Sequence, residues 1–236
     1  MSKKKFSTFG NVFDDSTLRI LFKLSSQGYF DEMLSPVLIG KEANVFTASK
    51  GKGKVIVKIY RTQACDFNKM YDYLAPDPRF PKLKKNRREI IVTWARKEYR
   101  NLLIARKAGI NVPTPYAVNG NVLVMEMIGK DEPAKRLKDR LPEDIELFYE
   151  SFIKDVRKLY KEAKLIHADL SEYNVLILDD KPYIIDFSHA ISMKYPRFVD
   201  FLERDLKIMT KFFNRKGLNL EYEKVLKYVT DGTEDK

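Results

Sequence analysis

At 236 residues, with 44% apolar and 12% aromatic side chains, the chain can build a real core as one two-lobed domain or two small ones, which excludes a disordered protein. No run reaches the roughly 18 apolar residues of a membrane helix, and the basic start from Met1 to Lys5 leads to Asp14 and Asp15 rather than to a signal-peptide core; the expected compartment is the cytoplasm, with no membrane partner. The formal net charge of +11 favours an anionic partner, whether RNA, acidic protein or a nucleotide's phosphates.

Asp14-Asp15-Ser16 offers an N-cap ahead of Leu18, Leu21, Phe22 and Leu24, and a second short apolar helix is expected over Tyr29 to Leu34. Residues 1–35 thus read as a helical preface. From Pro36 the pattern changes to β-branched runs, Val37 to Ile39, Val45 to Ala48 and Val55 to Tyr60, broken by Gly40, Gly51 and Gly53, which predicts three antiparallel strands. Arg61 to Pro81 holds three prolines and little periodicity, so an exposed, mobile loop is expected over about 61–85. A helix from about Asn86 to Lys107 and strands near Tyr116 and over Val122 to Met127 complete a first lobe, residues 36–129.

The second lobe, residues 130–236, opens on Ile145, Phe148, Phe152, Val156, Leu159 and Ala163, the spacing of a long amphipathic helix. Strands over Val175 to Leu178 and Tyr183 to Asp186 follow. Helices are then expected through Phe198 to Phe213 and over Leu220 to Val229. The single cysteine, Cys65, can form no internal disulfide and stands in no metal-spaced cluster, so it receives no role.

Chemistry gathers at His167-Ala168-Asp169-Leu170-Ser171-Glu172-Tyr173-Asn174, with Asp186 twelve positions further on. The order is that of a base followed by two magnesium ligands in phosphotransferases. Asp169 would accept a hydroxyl proton or orient the nucleophile, and Asn174 and Asp186 would coordinate a hard divalent cation bridging phosphates. His167 reads as a structural member of the loop, since Asp169 takes the base position.

Lys58 closes Val55-Ile56-Val57-Lys58, where period-two alternation puts Ile56 and Lys58 on one face, the first against adenine and the second toward phosphate. Glu98 interrupts the Trp94, Glu98, Leu102 stripe of its helix, and a buried carboxylate there needs a cation. Positions three and four away hold Trp94, Ala95, Asn101 and Leu102, so a local salt bridge cannot supply it. Lys58 is the expected partner. Gly40-Lys41-Glu42-Ala43-Asn44 occupies the phosphate-loop position with one glycine where G-x-G-x-x-G has three. The densest basic run, Lys82 to Arg88, fits either a solvated helix start or an RNA contact.

Together these residues resemble the RIO family of atypical kinases, in particular its type-one branch, over nearly the whole chain. Gly40 to Phe46 is similar to that branch's G-K-E-A-N-V-Y loop, Lys58-Ile59-Tyr60 to its lysine strand, Thr93-Trp94-Ala95 with Lys97-Glu98 to its helix, and His167 to Asn174 to its catalytic loop. Val124 to Lys130 resembles its hinge, which implies adenine contacts from backbone atoms of Glu126 and Ile128, with Met125 as gatekeeper; Lys41 would border the phosphates. The chain departs from the family at Leu38-Ile39, where Ser-Thr often stands, and at Phe187 and His189.

The resemblance implies an α+β, two-lobed protein-kinase-like fold. It also implies an ATP-dependent enzyme using Mg2+, with Mn2+ as an alternative, that is a serine-directed kinase, an ATPase cycling through a phosphorylated Asp186, or both. The family-implied partners are the small-subunit ribosomal precursor or its rRNA, and a serine of another protein or of the chain itself, by autophosphorylation. Ala-Pro-Glu does not follow Asp186, and 50 residues are too few for the peptide-binding helices of an ordinary protein kinase, so peptide recognition is expected to differ. Shortness and the lack of long charged tails suit an archaeal member. Two other readings stay open: a small-molecule kinase of aminoglycoside or choline type, and a nucleotide-gated RNA or pre-ribosome binding module.

Overall fold

The structure, a computed structural model, describes residues 13–63 and 65–231; the basic start at residues 1–5 lies outside them. The chain divides into two compact units, one running up to Ala75 and taking in Arg79–Arg100 and Thr114–Pro133, the other comprising Pro76–Pro78, Asn101–Pro113 and everything from Ala134 onward.

The first unit is built on a five-stranded antiparallel sheet in the order β1-β2-β3-β5-β4, with β1 Glu32–Ile39, β2 Ala43–Lys50, β3 Gly53–Tyr60, β4 Pro115–Asn119 and β5 Val122–Glu126. Alternation gives it two apolar faces. Val55, Val57 and Ile59 of β3, with Phe46 and Ala48 of β2, pack against Leu21 and Leu24 of α1 (Asp15–Ser26). Tyr60 instead joins Trp94, Ile90 and Ile91 of α3 (Arg87–Lys107) and Met70 and Leu74 of α2 (Phe67–Leu74). Lys58 stands on that second face, two residues before Tyr60. The β3 register follows from β2 and β5 on either side, with Ile56 opposite Thr47 and Met125.

Three expectations need correction here. No helix covers Tyr29 to Leu34: Gly28, at φ 78°, ends α1, and Asp31 and Glu32 bond instead to Ser49 in the neighbouring strand. Phe30 and Met33 have helical spacing, yet strand pairing buries both in the α1 core while also satisfying the backbone. One helix, not two, therefore precedes the sheet among the described residues, and it shares the sheet's core rather than standing apart as a preface. The stretch expected as loop contains α2, capped by the Asp66 carboxylate accepting from the Lys69 N–H at 3.1 Å. Its prolines lie outside the helix; Phe67, Met70, Tyr71 and Leu74 carry an i, i+3, i+4, i+7 pattern that the prolines masked.

In the second unit α4 (Ile145–Lys161) is capped by Asp144, whose carboxylate accepts from the N–H groups of Glu146 and Leu147. It buries Phe148, Phe152, Val156 and Leu159. A three-stranded sheet, β6 Lys135–Arg136, β8 Val175–Leu178 and β9 Lys181–Ile184, and a two-stranded pair, β7 Leu165–Ile166 with β10 Ile191–Ser192, frame the catalytic-loop sequence. Then come α5 (Phe198–Arg215) and α6 (Tyr222–Thr230). The expected strand ending at Asp186 stops at Ile184, so Asp186 stands beyond it in the following loop.

Candidate active site

In the first unit Lys58 Nζ donates to Glu98 Oε1 at 2.9 Å, with Lys58 only 6% and Glu98 1% exposed. The other carboxylate oxygen accepts from the Tyr60 hydroxyl, and the ammonium lies 5.3 Å from the Tyr60 ring centre. Neither charge is exposed to bulk water, so each depends on the other. Lys58 and Tyr60 are i and i+2 on one strand face, and Glu98 is one turn along α3 from Trp94, which explains why these side chains meet.

The other predicted nucleotide residues of this unit are placed as follows. Ile56 faces Met125 across β3 and β5. Glu126 ends β5 with its N–H donating to Thr114 O at 2.8 Å and its carboxylate accepting from Thr114 N–H and Oγ1. Met125 and Ile128 are buried. Lys41 is exposed in the β1–β2 turn, which closes through Gly40 N–H to Ala43 O at 3.0 Å. A Cβ at Gly40 would come within 2.8 Å of that same carbonyl oxygen, so this single glycine serves a close backbone approach. In the basic run, Arg87 stacks 3.8 Å from the Phe67 ring centre and Lys85 5.2 Å from that of Tyr71, giving these two cations aromatic neighbours on α2.

The second unit holds the catalytic-loop residues. Asn174 Nδ2 donates to Asp169 O at 2.8 Å and to Asp169 Oδ2 at 3.1 Å. Both partners are acceptors, so the amide nitrogen must face them and Oδ1 is turned to other use. The Ile185 N–H donates to Asn174 O at 2.9 Å, which brings the residue before Asp186 against the loop. Asp186 has φ 61°, a left-handed conformation uncommon outside glycine, and its Oδ1 accepts from Ser188 Oγ at 2.7 Å. Asp169 remains open to solvent as a residue, yet partial burial of its carboxyl pushes its pKa above the usual carboxylate value. The Asp186 charge adds to that rise, against the opposing pull of His167.

The loop is held from behind. His167 is buried, its Nε2 2.9 Å from Ile185 O and its ring edge-on to Phe187, in keeping with the structural role expected for it. Asp205, 2% exposed on α5, accepts from the N–H groups of Ala168 at 2.7 Å and Leu170 at 3.2 Å, one on each side of Asp169, and Arg204 donates to Ala168 O. Ala168 itself has φ 62°. Burial pushes the Asp205 carboxyl up to about 7, although both N–H donors and Arg204 favour its charged form. Asn101 Nδ2, fully buried, donates to Phe187 O and Ala190 O and fixes the segment after Asp186.

Sequence reasoning missed Asp205, Ser188, Tyr60 and Asn101. The Asp205 signal was present: it interrupts the Leu202, Leu206, Met209 stripe with Phe201, Leu202, Ile208 and Met209 at three and four positions away, the same pattern that marked Glu98. A groove of about 470 Å³ between α4 and α6, lined in part by Tyr149, Lys154, Lys224 and Tyr228, borders none of the predicted site residues.

Comparison with known proteins adds the family. A family model described as the RIO domain matches residues 44–225. The chain belongs to the RIO family. It is 41% identical over 228 residues to the RIO-type serine/threonine-protein kinase Rio1 of Haloferax volcanii, covering 96% of this chain and 78% of that protein. Against the protein of the same name from Methanocaldococcus jannaschii it is 42% identical over 224 residues, 94% and 77% of the two chains. The human serine/threonine-protein kinase RIO1 is 37% identical over 232 residues, which are 95% of this chain and 41% of that one. A solved Rio2 kinase from Chaetomium thermophilum in an ADP/Mg2+-phosphoaspartate complex superposes with a TM-score of 0.65 at 22% identity, over 90% of this chain and 66% of that chain. The α+β architecture is therefore the kinase-like fold, and as a RIO member the chain is an atypical serine/threonine protein kinase.

The donors present fit magnesium. Among the described residues no three His, Cys, Asp or Glu side chains gather into a metal cage, and Mg2+ is ordinarily held by one or two carboxylates together with phosphate oxygens and water. The Asp186 carboxylate and Asn174 Oδ1 are hard oxygen donors of that kind and would hold the ion.

Proposed function

We propose that this RIO protein transfers the γ-phosphoryl group of ATP in a magnesium-dependent reaction, to a protein serine and to its own Asp186, from which water then releases it. The observation that carries this reading is the Asp169–Asn174 contact, which commits Asn174 Nδ2 to Asp169 and leaves Oδ1 as the amide's acceptor, together with the Ile185 N–H bond to Asn174 O, which brings the residue before Asp186 to the same loop. Lys58 holds the α and β phosphates, with Glu98 and Tyr60 keeping the ammonium in place. Lys41 adds charge at the phosphates, and Ile56 with the backbone of Glu126 and Ile128 receives the adenine. Asn174 and Asp186 would hold Mg2+, which would neutralise phosphate charge when bound. Asp169 accepts the serine hydroxyl proton as oxygen attacks phosphorus and the bond to ADP breaks.

In the aspartyl cycle an Asp186 oxygen is the attacking atom and ADP the leaving group; hydrolysis of the acyl phosphate regenerates the carboxylate. The Chaetomium Rio2 complex pairs a phosphoaspartate with ADP and Mg2+, which supports this branch. Late maturation of the small ribosomal subunit in the cytoplasm is the proposed setting, with the pre-ribosomal particle or its rRNA as partner. No helix among the described residues is long and apolar enough to cross a membrane. Incubation with γ-labelled ATP and Mg2+ tests the reaction: label is expected on the protein or released as phosphate, and wild-type turnover by Asp169→Ala would overturn it.

A further inference from the structure

One face of α5 is basic and leads away from the catalytic loop. Arg204, Ile208, Lys211 and Arg215 are all exposed and follow one another at four, three and four residues, the spacing of a single helix stripe. Over residues 194–216 there are seven Lys or Arg and three Asp or Glu, and all three acids are committed. Asp200 pairs with Arg197 at 2.6 Å, Glu203 with Lys207 at 3.0 Å, and Asp205 is buried on the loop. No ion pair holds Lys211 or Arg215 among the described residues, so the far end of the stripe carries uncompensated positive charge. Its near end touches the chemistry, because Arg204 donates to the carbonyl of Ala168, the residue before Asp169.

We propose that this stripe docks the acidic flank of the serine substrate, a reading that rests on the protein-kinase function above. At a rise of about 1.5 Å per residue, Lys211 lies about 10 Å and Arg215 about 16 Å along the helix from Arg204. An extended peptide advances about 3.3 Å per residue, so carboxylates roughly three and five positions from the acceptor serine reach the two cations. Ile208 gives the intervening residue an apolar contact. An RNA backbone would satisfy the charge alone; continuity with the Asp169 loop favours a chain that must also deliver a hydroxyl there.

The test compares serine peptides carrying Glu three and five positions from the serine, on either flank, with the same peptides carrying Gln, using the full chain. For wild type, one acidic peptide should show a KM lower by about fivefold at unchanged kcat, as two partly exposed ion pairs allow. The preference should vanish in Lys211→Glu/Arg215→Glu and survive in Lys23→Glu, a charge reversal on α1. Equal KM values in wild type, or a preference that survives the double reversal, overturns the docking surface. Fluorescence anisotropy of the acidic peptide with Ala in place of Ser reads binding without turnover. Binding lost on double reversal supports the surface even where no peptide is phosphorylated, a result that would count only against the protein-kinase reading. Binding unaffected by the reversal, or a stripe that retains a single-stranded RNA oligonucleotide and not the peptide, overturns the proposal.

Discussion

The two units hold their functional charges in opposite ways. Lys58 and Glu98 sit on a central strand and a helix, buried, each satisfied by the other, with Tyr60 taking the remaining carboxylate oxygen. Asp169 and Asp186 sit in loops, and Ala168 and Asp186 have positive φ. Those loops are held by side chains from elsewhere, Asp205 and Asn101, bonding to backbone. A cation that only has to present its charge to phosphates can be held in the core by a buried partner. Carboxylates that must reach the reacting atoms stay accessible and leave their rigidity to a second set of residues.

The largest expected effect lies in the accessible group. Asp169→Ala should lower phosphoryl transfer by about 10²- to 10⁴-fold, the usual worth of a general base, with little change in the urea midpoint because the residue is solvent-accessible. A large stability loss with modest kinetic change would reverse the contrast between the units. Glu98→Ala should do the converse first: it strands a buried ammonium and should cost roughly 3–5 kcal/mol of folding stability in urea titrations, as for other broken buried pairs.

Asp205 joins the two behaviours, being buried yet serving the open loop. Its folded pKa, about 7, stands above its ordinary 3.8. Its contribution to stability is therefore full below about pH 4 and is lost as pH rises through about 7, at no more than ~1.4 kcal/mol per pH unit. Asp205→Asn should flatten that part of the stability profile. It should also lower kcat more than it raises KM for ATP, since one backbone N–H beside Asp169 loses its acceptor. Ser188→Ala is expected to be milder, about tenfold in kcat, the cost of one hydrogen bond to a charged acceptor. An equal effect on stability would make Ser188 a core residue rather than a support for Asp186.

The buried pair was legible because periodicity carries it: Lys58 by alternation on a strand, Glu98 by breaking an apolar helix stripe. The catalytic loop was legible as a motif, since its chemistry demands those residue types at that spacing. Of its supports, Asp205 was marked only as a carboxylate breaking the apolar stripe of its helix; its partners lie 35 and 37 positions away on the backbone, and backbone donors leave no mark in the sequence of the loop they hold. The two-residue strands β6, β7 and β10 are too short for any period to register. Met33 and Phe30 show the remaining weakness, for apolar spacing alone fitted a helix and only the neighbouring strand settled the backbone.

The most direct measurement is a single-turnover experiment with γ-labelled ATP and Mg2+ on Asp186→Asn beside wild type. The expected result is that the variant binds ATP and leaves the γ-phosphate in place, with no label on the protein. Release or transfer of phosphate at the wild-type rate would contradict the assignment of Asp186, and with it the division of labour between the two units.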